Sequence, residues 1–354
     1  MTDTIIELGK SLGLLAFALA VLLYSAERLV GASEEIGISM GVPPFLMGLT
    51  VLAVGTSLPE LVTGLFAVFD GNGEIVVGTV MGSNIANILL ILGVAAYVAK
   101  EFSFDWDLLH GDIPMLFGSV MLMAFFIYPV STADYAHFTS VMSAANGDTS
   151  VNVSHSASVT FIEGLFLLGG YVLYLYYYTQ RNPNHDATKP VPKENRPPIH
   201  FSHILWIIFG LVGVPIGANY TVEAAVDIAG LLGVGKSVVA ASMIAIGTSL
   251  PELVVSVSAI RRKNYEMALG NVTGSNIFNS FVVLGVPALF APYVGNQRPL
   301  EVGEPSILAL QLPYYAATML LFLVVVLDKK FTRTEGLMIL TAYVIFIAKL
   351  FSAF

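Results

Sequence analysis

The segment Gly55-Thr56-Ser57-Leu58-Pro59-Glu60-Leu61-Val62 returns unchanged as Gly247-Thr248-Ser249-Leu250-Pro251-Glu252-Leu253-Val254. The register then holds downstream without a gap. Gly82-Ser83-Asn84-Ile85 reappears as Gly274-Ser275-Asn276-Ile277, Asn87 as Asn279, and Leu92-Gly93-Val94 as Leu284-Gly285-Val286, each pair 192 positions apart. Any fold for this chain must therefore place two copies of one unit, each carrying a glutamate, hydroxyls and a proline inside apolar sequence.

Hydrophobic residues make up 56% of the chain and charged residues 12%, against roughly 25% charged in ordinary soluble domains. That composition predicts a polytopic membrane protein, all-α. A spanning helix needs about 20 mostly apolar residues, and ten stretches qualify. They lie near Leu12–Leu29, Pro44–Phe69, Ile75–Val98, Ile113–Val130, Thr160–Tyr178, Ile204–Val226, Val238–Ile260, Ala268–Tyr293, Ile307–Val326 and Leu337–Phe351. Met1 to Lys10 lacks the cationic region of a cleaved signal peptide, so the first stretch is expected to be a retained span.

Arg181–His200, with Pro183, Pro190, Pro192, Pro197 and Pro198, reads as a linker between two five-helix halves. The expected organisation is a first half over 1–180 with its repeat at about 42–98, a cytoplasmic linker over 181–200, and a second half over 201–354 with its repeat at about 234–290. Assigning odd-numbered loops to one side gathers 12 of the 16 basic residues there. By the positive-inside rule that side is cytoplasmic, with both termini outside. The loop Ser131–Ser158 has no lysine or arginine and falls on the external face. Five spans per half turn the second copy upside down, which predicts two inverted repeats around an axis in the membrane plane.

A carboxylate in mid-membrane costs upward of about 2.5 kcal/mol and is a functional-site hypothesis by default. Here Glu60 and Glu252 form a symmetric pair. Proline in a helix interior leaves the carbonyl four residues earlier unpaired, so Pro59 would free Gly55 and Pro251 would free Gly247. The candidate ligands are all oxygen: the two carboxylates, the hydroxyls of Thr56, Ser57, Thr248 and Ser249, the amides of Asn87 and Asn279, and the freed carbonyls. Hard cations such as calcium take six to eight such oxygens. No Cys or Met lies within the signatures, which argues against copper or zinc. With no cysteine in the chain, disulfides and thiol catalysis are excluded.

Other features have plainer readings. Gly78, Gly82, Gly270 and Gly274 are expected to permit close helix approach. Asn84 and Asn276 read as cross-helix hydrogen-bonding residues, Glu34 and Glu35 as a solvated loop, and Tyr174, Tyr176, Tyr177 and Tyr178 as an interfacial aromatic belt. No basic patch suggests nucleic acid.

Gly-Thr-Ser-Leu-Pro-Glu followed by Gly-Ser-Asn-Ile-x-Asn, present twice, resembles the alpha repeats of the sodium/calcium exchanger branch of the cation/calcium antiporters. The resemblance implies electrogenic exchange of several sodium ions for one calcium by alternating access, with the first and sixth spans sliding as a gate; potassium independence is expected from the departure at Asn279, where potassium-dependent members carry aspartate. It implies that Glu60 and Glu252 are shared ligands, helped by the carbonyls of Thr56 and Thr248. Ser57 and Ser249 with the carbonyls of Ala53 and Ala245 would form flanking sodium positions, and Ser83, Ser275, Asn87 and Asn279 would complete the centre. Some members carry aspartate where this chain has Asn279, so its centre has one carboxylate fewer. The implied protein is a minimal prokaryotic plasma-membrane exchanger. It is not an enzyme, it needs no cofactor, and its partners are calcium, sodium and the bilayer. Proton/calcium antiport on the same fold is the alternative, and a cation channel a more distant one.

Overall fold

A computed structural model describes residues 2–127, 158–180, 196–231, 247, 249–294, 300–301 and 310–352. Its described helical runs are α1 (Thr2–Met40), α2 (Pro44–Phe69), α3 (Ile75–Ala99), α4 (Asp112–Ile127) and α5 (Phe161–Gln180), followed by α6 (Phe201–Leu231), α7 (Leu250–Arg261), α8 (Tyr265–Tyr293), α9 (Leu312–Val326) and α10 (Arg333–Ser352). Six of them, α1, α2, α3, α5, α6 and α8, are long and apolar enough to cross a membrane, and α4 and α9 are shorter apolar helices. Where they are described, the expected spans lie on helix except at Thr160, Ser249 and Leu284. Residues 238–246 of the seventh, the loop residues 131–157 and linker residues 181–195 lie outside the described residues.

Helix ends follow local chemistry. After α2, Gly71 adopts φ 78° and Asn72 N–H reaches back to Ala67 O at 2.7 Å. After α7, Lys263 adopts φ 62° and Asn264 N–H reaches Ala259 O at 2.9 Å. Both are left-handed caps of the Schellman type, 192 residues apart, with a strained lysine in the place of a permissive glycine. A shared Thr-x-x-Glu-Gly pattern opens the last helix of each half: Thr160-Phe161-Ile162-Glu163-Gly164 at α5 and Thr332-Arg333-Thr334-Glu335-Gly336 at α10. Each makes a reciprocal capping box: Thr160 N–H donates to Glu163 Oε2 at 2.6 Å and Glu163 N–H to Thr160 Oγ1 at 3.3 Å, with 2.7 and 3.3 Å for Thr332 and Glu335.

The capping boxes place glycines at the two matching crossings. A Cβ on Gly164 would lie 2.9 Å from Gly285 O where α5 crosses α8, and one on Gly336 would lie 2.9 Å from Gly93 O where α10 crosses α3. Gly93 and Gly285 are themselves 192 apart. Two short antiparallel pairs tie the connections: β1 (Glu101–Ser103) with β4 (Lys330–Thr332), and β2 (Ser158–Val159) with β3 (Leu300–Glu301).

Burial separates a core from a rim. In α3 and α8, 72% and 83% of the apolar window is buried, against 17% and 22% in α1 and α6. The last two pack antiparallel on each other, with Gly210, Gly213 and Gly217 of α6 against Leu29, Ser25 and Leu22 of α1. Small residues permit this close approach. Against the core, Gly270 and Gly274 of α8 let the α2 backbone come within contact at Phe45 and Leu49, whereas a Cβ at Gly82 would meet nothing within 4 Å among the described residues.

Three expectations are corrected here. Glu34 and Glu35 belong to helix α1 and not to a loop: Glu34 Oε2 pairs with Arg262 Nε at 3.1 Å and Glu35 Oε2 lies 2.9 Å from His203 Nε2, because these helix ends converge. The tyrosines do not form one belt. Tyr176 and Tyr177 are exposed, but Tyr174 is buried and, with Tyr178, donates to Asp112 Oδ1 at 2.6 and 2.5 Å. Trp106 Nε1 supplies Asp112 Oδ2 at 3.2 Å, so this fully buried carboxylate at the N-terminus of α4 is anchored by three donors. Finally, Pro59 lies inside its helix as expected, but Ser249 leaves helical geometry (φ −91°, ψ 2°) and α7 begins at Leu250. Pro251 therefore sits in a first turn, where its missing N–H costs no helical bond.

Candidate metal centre

Helix α2 carries Ala53, Thr56, Ser57 and Glu60, and α7 with its N-terminal cap carries Ser249 and Glu252. Ser83 and Asn87 come from α3, Ser275 and Asn279 from α8, and every one of these residues is buried. Thr248 and Ala245 lie outside the described residues. Direct contacts join the two signatures: Ser57 Oγ donates to Glu252 Oε1 at 2.9 Å, and Thr56 Oγ1 lies 3.5 Å from Ser275 Oγ. Thr56 Oγ1 also reaches Ala53 O at 3.4 Å, which marks that carbonyl as accessible to a polar partner.

Local backbone irregularity serves this placement. Asn87 opens a π-helical turn (Asn87–Leu92) and Asn279 opens its counterpart (Asn279–Val283). Such turns widen the helix by one residue and recur at functional sites. A third spans Gly48–Leu52, just ahead of the first signature.

Behind the carboxylates, Asn84 and Asn276 bond to each other reciprocally: Asn84 Nδ2 to Asn276 O at 3.4 Å and Asn276 Nδ2 to Asn84 O at 3.3 Å. Two residues 192 apart thus exchange the same bond. Asn84 Nδ2 is also within bonding distance of Ser280 Oγ (2.8 Å) and Tyr315 OH (2.9 Å), and Asn276 Oδ1 accepts from Asn87 Nδ2 at 2.9 Å. The cross-helix role read for Asn84 and Asn276 is the one observed. Tyr315 and Ser280 were missed; the available signal in α9 was Tyr315, one of three hydroxyl residues there with Tyr314 and Thr318.

What the network leaves over is mostly acceptor capacity. Both oxygens of Glu60, Oε2 of Glu252, Oδ1 of Asn87, Oγ of Ser249 and the whole Asn279 amide are buried without a hydrogen-bond partner among the described residues. Buried polar groups in native proteins are almost always satisfied, and an uncompensated buried charge costs several kcal/mol. Six of these seven atoms are oxygens, three of them carboxylate, and the seventh, Asn279 Nδ2, is a donor. The oxygens form a doubly acidic cage whose donor set hard ions match.

Comparison with known proteins gives this cage a family. The family described as sodium/calcium exchanger protein matches residues 10–180 and 202–351. The chain belongs to that family. It is 32% identical over 354 residues to the sodium/calcium exchanger MaX1 of Methanosarcina acetivorans (96% of this chain, 97% of that one). It is also 32% identical over 291 residues to the inner membrane protein YrbG of Escherichia coli (81% of each), and 31% identical over 343 residues to the putative antiporter CaxA of Alkalimonas amylolytica (95% and 97%). Among solved structures, the sodium/calcium exchanger of Methanococcus jannaschii superposes with a TM-score of 0.72 at 27% identity, covering 96% of this chain and 98% of that one. The same exchanger soaked with 10 mM Na+ and zero Ca2+ gives 0.74 at 28% identity, covering 97% and 99%. This exchanger-family chain is thus an integral membrane cation exchanger.

Proposed function

We propose that the chain is a secondary antiporter that exchanges sodium for calcium by alternating access, electrogenically and without potassium. The observation that carries this reading is the pair of buried carboxylates, Glu60 and Glu252, together with the neutral oxygens of Asn87, Ser249 and Asn279 that have no partner among the described residues. Two charges match one divalent ion, and the flanking Ser57, Ser249, Asn87 and Asn279 give monovalent ions overlapping positions, so loading one species displaces the other. Ser83, Ser275 and the carbonyls of Thr56, Thr248, Ala53 and Ala245 complete the proposed ligand set.

The proposed architecture is ten spans in two inverted five-helix halves, 1–180 and 201–354, joined by a cytoplasmic linker at 181–200, with both termini outside a prokaryotic plasma membrane. The reciprocal Asn84–Asn276 contact, the matched Gly164–Gly285 and Gly93–Gly336 crossings and the paired capping boxes support it. Calcium uptake into proteoliposomes separates sodium from proton coupling. A sodium gradient drives uptake at fixed voltage and a pH gradient does not; the reverse outcome assigns the chain to proton/calcium antiport. Glu60→Gln and Glu252→Gln each abolish uptake while the protein remains folded.

A further inference from the structure

The two halves differ in the space beside each glutamate on the side of the turn that follows its helix. A narrow cleft of about 10 Å³ reaches Glu60 between α2 and α3, lined by Gly64, Ala67 and Thr79 on the side of the turn at 70–73. It has room for about one water. At the positions 192 residues on, Gly64 becomes Ser256, Ala67 becomes Ala259 and Thr79 becomes Asn271, all three at 0% exposure on the side of the turn at 262–264. There Asn271 Nδ2 donates to Ser256 Oγ at 2.9 Å and lies 3.5 Å from Glu252 O. Asn271 Oδ1 is buried without a partner among the described residues, where this amide is held by donation. The glutamates repeat the asymmetry, since Ser57 bonds Glu252, whereas among the described residues Ser249 has no partner and Glu60 has none on either oxygen.

We propose that Asn271 and Ser256 are positioning residues that form a polar plug on the route between Glu252 and the 262–264 face, a plug the Glu60 route lacks. The inference rests on alternating access. Opening the second route separates Asn271 from Ser256, whereas opening the first breaks no such bond, so the resting equilibrium favours the conformation with the Glu60 cleft open. A single neutral hydrogen bond shifts such an equilibrium by about two- to tenfold. Gly64 has space for the reverse graft: a Cβ there would meet Pro287, Val76 and Val283 at 3.4–3.8 Å, ordinary contact distances.

The cysteine-free chain makes the test direct. Ala67→Cys and Ala259→Cys report the two routes, each labelled in reconstituted vesicles by a membrane-impermeant maleimide from its own face. Labelling at 67 is faster than at 259 in the parent. Asn271→Thr raises the 259 rate relative to the 67 rate by about two- to tenfold, and Ser256→Ala, which deletes only one hydroxyl, does the same if the first variant folds poorly. Gly64→Ser with Thr79→Asn lowers the 67 rate. An unchanged 259-to-67 ratio in folded Ser256→Ala, or a lowered melting temperature with no change in that ratio, overturns the plug. Because labelling needs no ion flux, failure of sodium-driven calcium uptake is read separately and refutes the antiport reading instead.

Discussion

Replacing Glu60 by glutamine tests the electrostatic logic of the cage. Glu60 is 2% exposed, and neither carboxylate oxygen has a partner among the described residues. A buried charge left uncompensated costs several kcal/mol, whereas an imperfectly bonded buried amide costs about 1–3 kcal/mol. Glu60→Gln is therefore expected to stabilise the ion-free protein by about 1–3 kcal/mol. At about 2 °C per kcal/mol for a chain of this length, the melting temperature rises by about 2–6 °C. Calcium acts oppositely on the two proteins. At 100 times its Kd, a ligand that binds only the folded state adds about 2.7 kcal/mol, a rise of about 5 °C in the parent, while the variant has lost the charge that binds it and shows no rise. Glu252→Gln gains less, by about 1 kcal/mol, because Ser57 already donates to Glu252 Oε1 at 2.9 Å and the amide weakens that charge-assisted bond. Thermal unfolding in one detergent, followed by tryptophan fluorescence with chelator or with calcium, reads all of these shifts. A Glu60→Gln protein that melts several degrees below the parent in chelator, or that keeps its calcium shift, would falsify the assignment of a bare carboxylate awaiting a cation.

Other outcomes follow from the same structure. Asp112→Ala leaves the Tyr174, Tyr178 and Trp106 donors without their shared acceptor, and at about 1 kcal/mol or more for each it lowers the melting temperature by at least about 6 °C; Asp112→Asn costs less, and equal melting of all three proteins refutes the anchor. Lys263→Gly removes the left-handed strain at φ 62° and raises stability by up to about 1 kcal/mol, readable in the same melts. Gly270→Leu places a side chain against the Phe45 and Leu49 backbone and prevents α2 from seating on α8, so the purified variant elutes as aggregate on size-exclusion chromatography. Replacing potassium by choline leaves sodium-driven calcium flux unchanged in the parent, whose centre holds Asn279, and a flux that stops without potassium contradicts that reading.

Much of the site was legible because its chemistry is local. Pro59, Glu60, the hydroxyls beside them and Asn87 recur at one fixed offset, and a carboxylate stranded in apolar sequence announces a function whatever surrounds it. Asn271 and Ser256 were not legible, since an asparagine and a serine in a helix are ordinary until the bond between them is seen, and Asp112 sits at the edge of a span where an acid looks solvated. Glu34 and Glu35 were misread because nothing local says that Arg262 and His203 converge on them.

The sequence by itself determined the solvent, the duplication and the oxygen-only donor set, because hydropathy, an exact repeat and residue type are one-dimensional properties. Only the tertiary structure decided which repeated residues meet: Asn84 with Asn276, Ser57 with Glu252, and the capped glycine of α5 with its partner on α8. It also decided that the two copies are unequal. Identical strings fold into non-identical surroundings when the helices packed against them differ, and here one glutamate faces a cleft while the other is closed in by an amide and a hydroxyl.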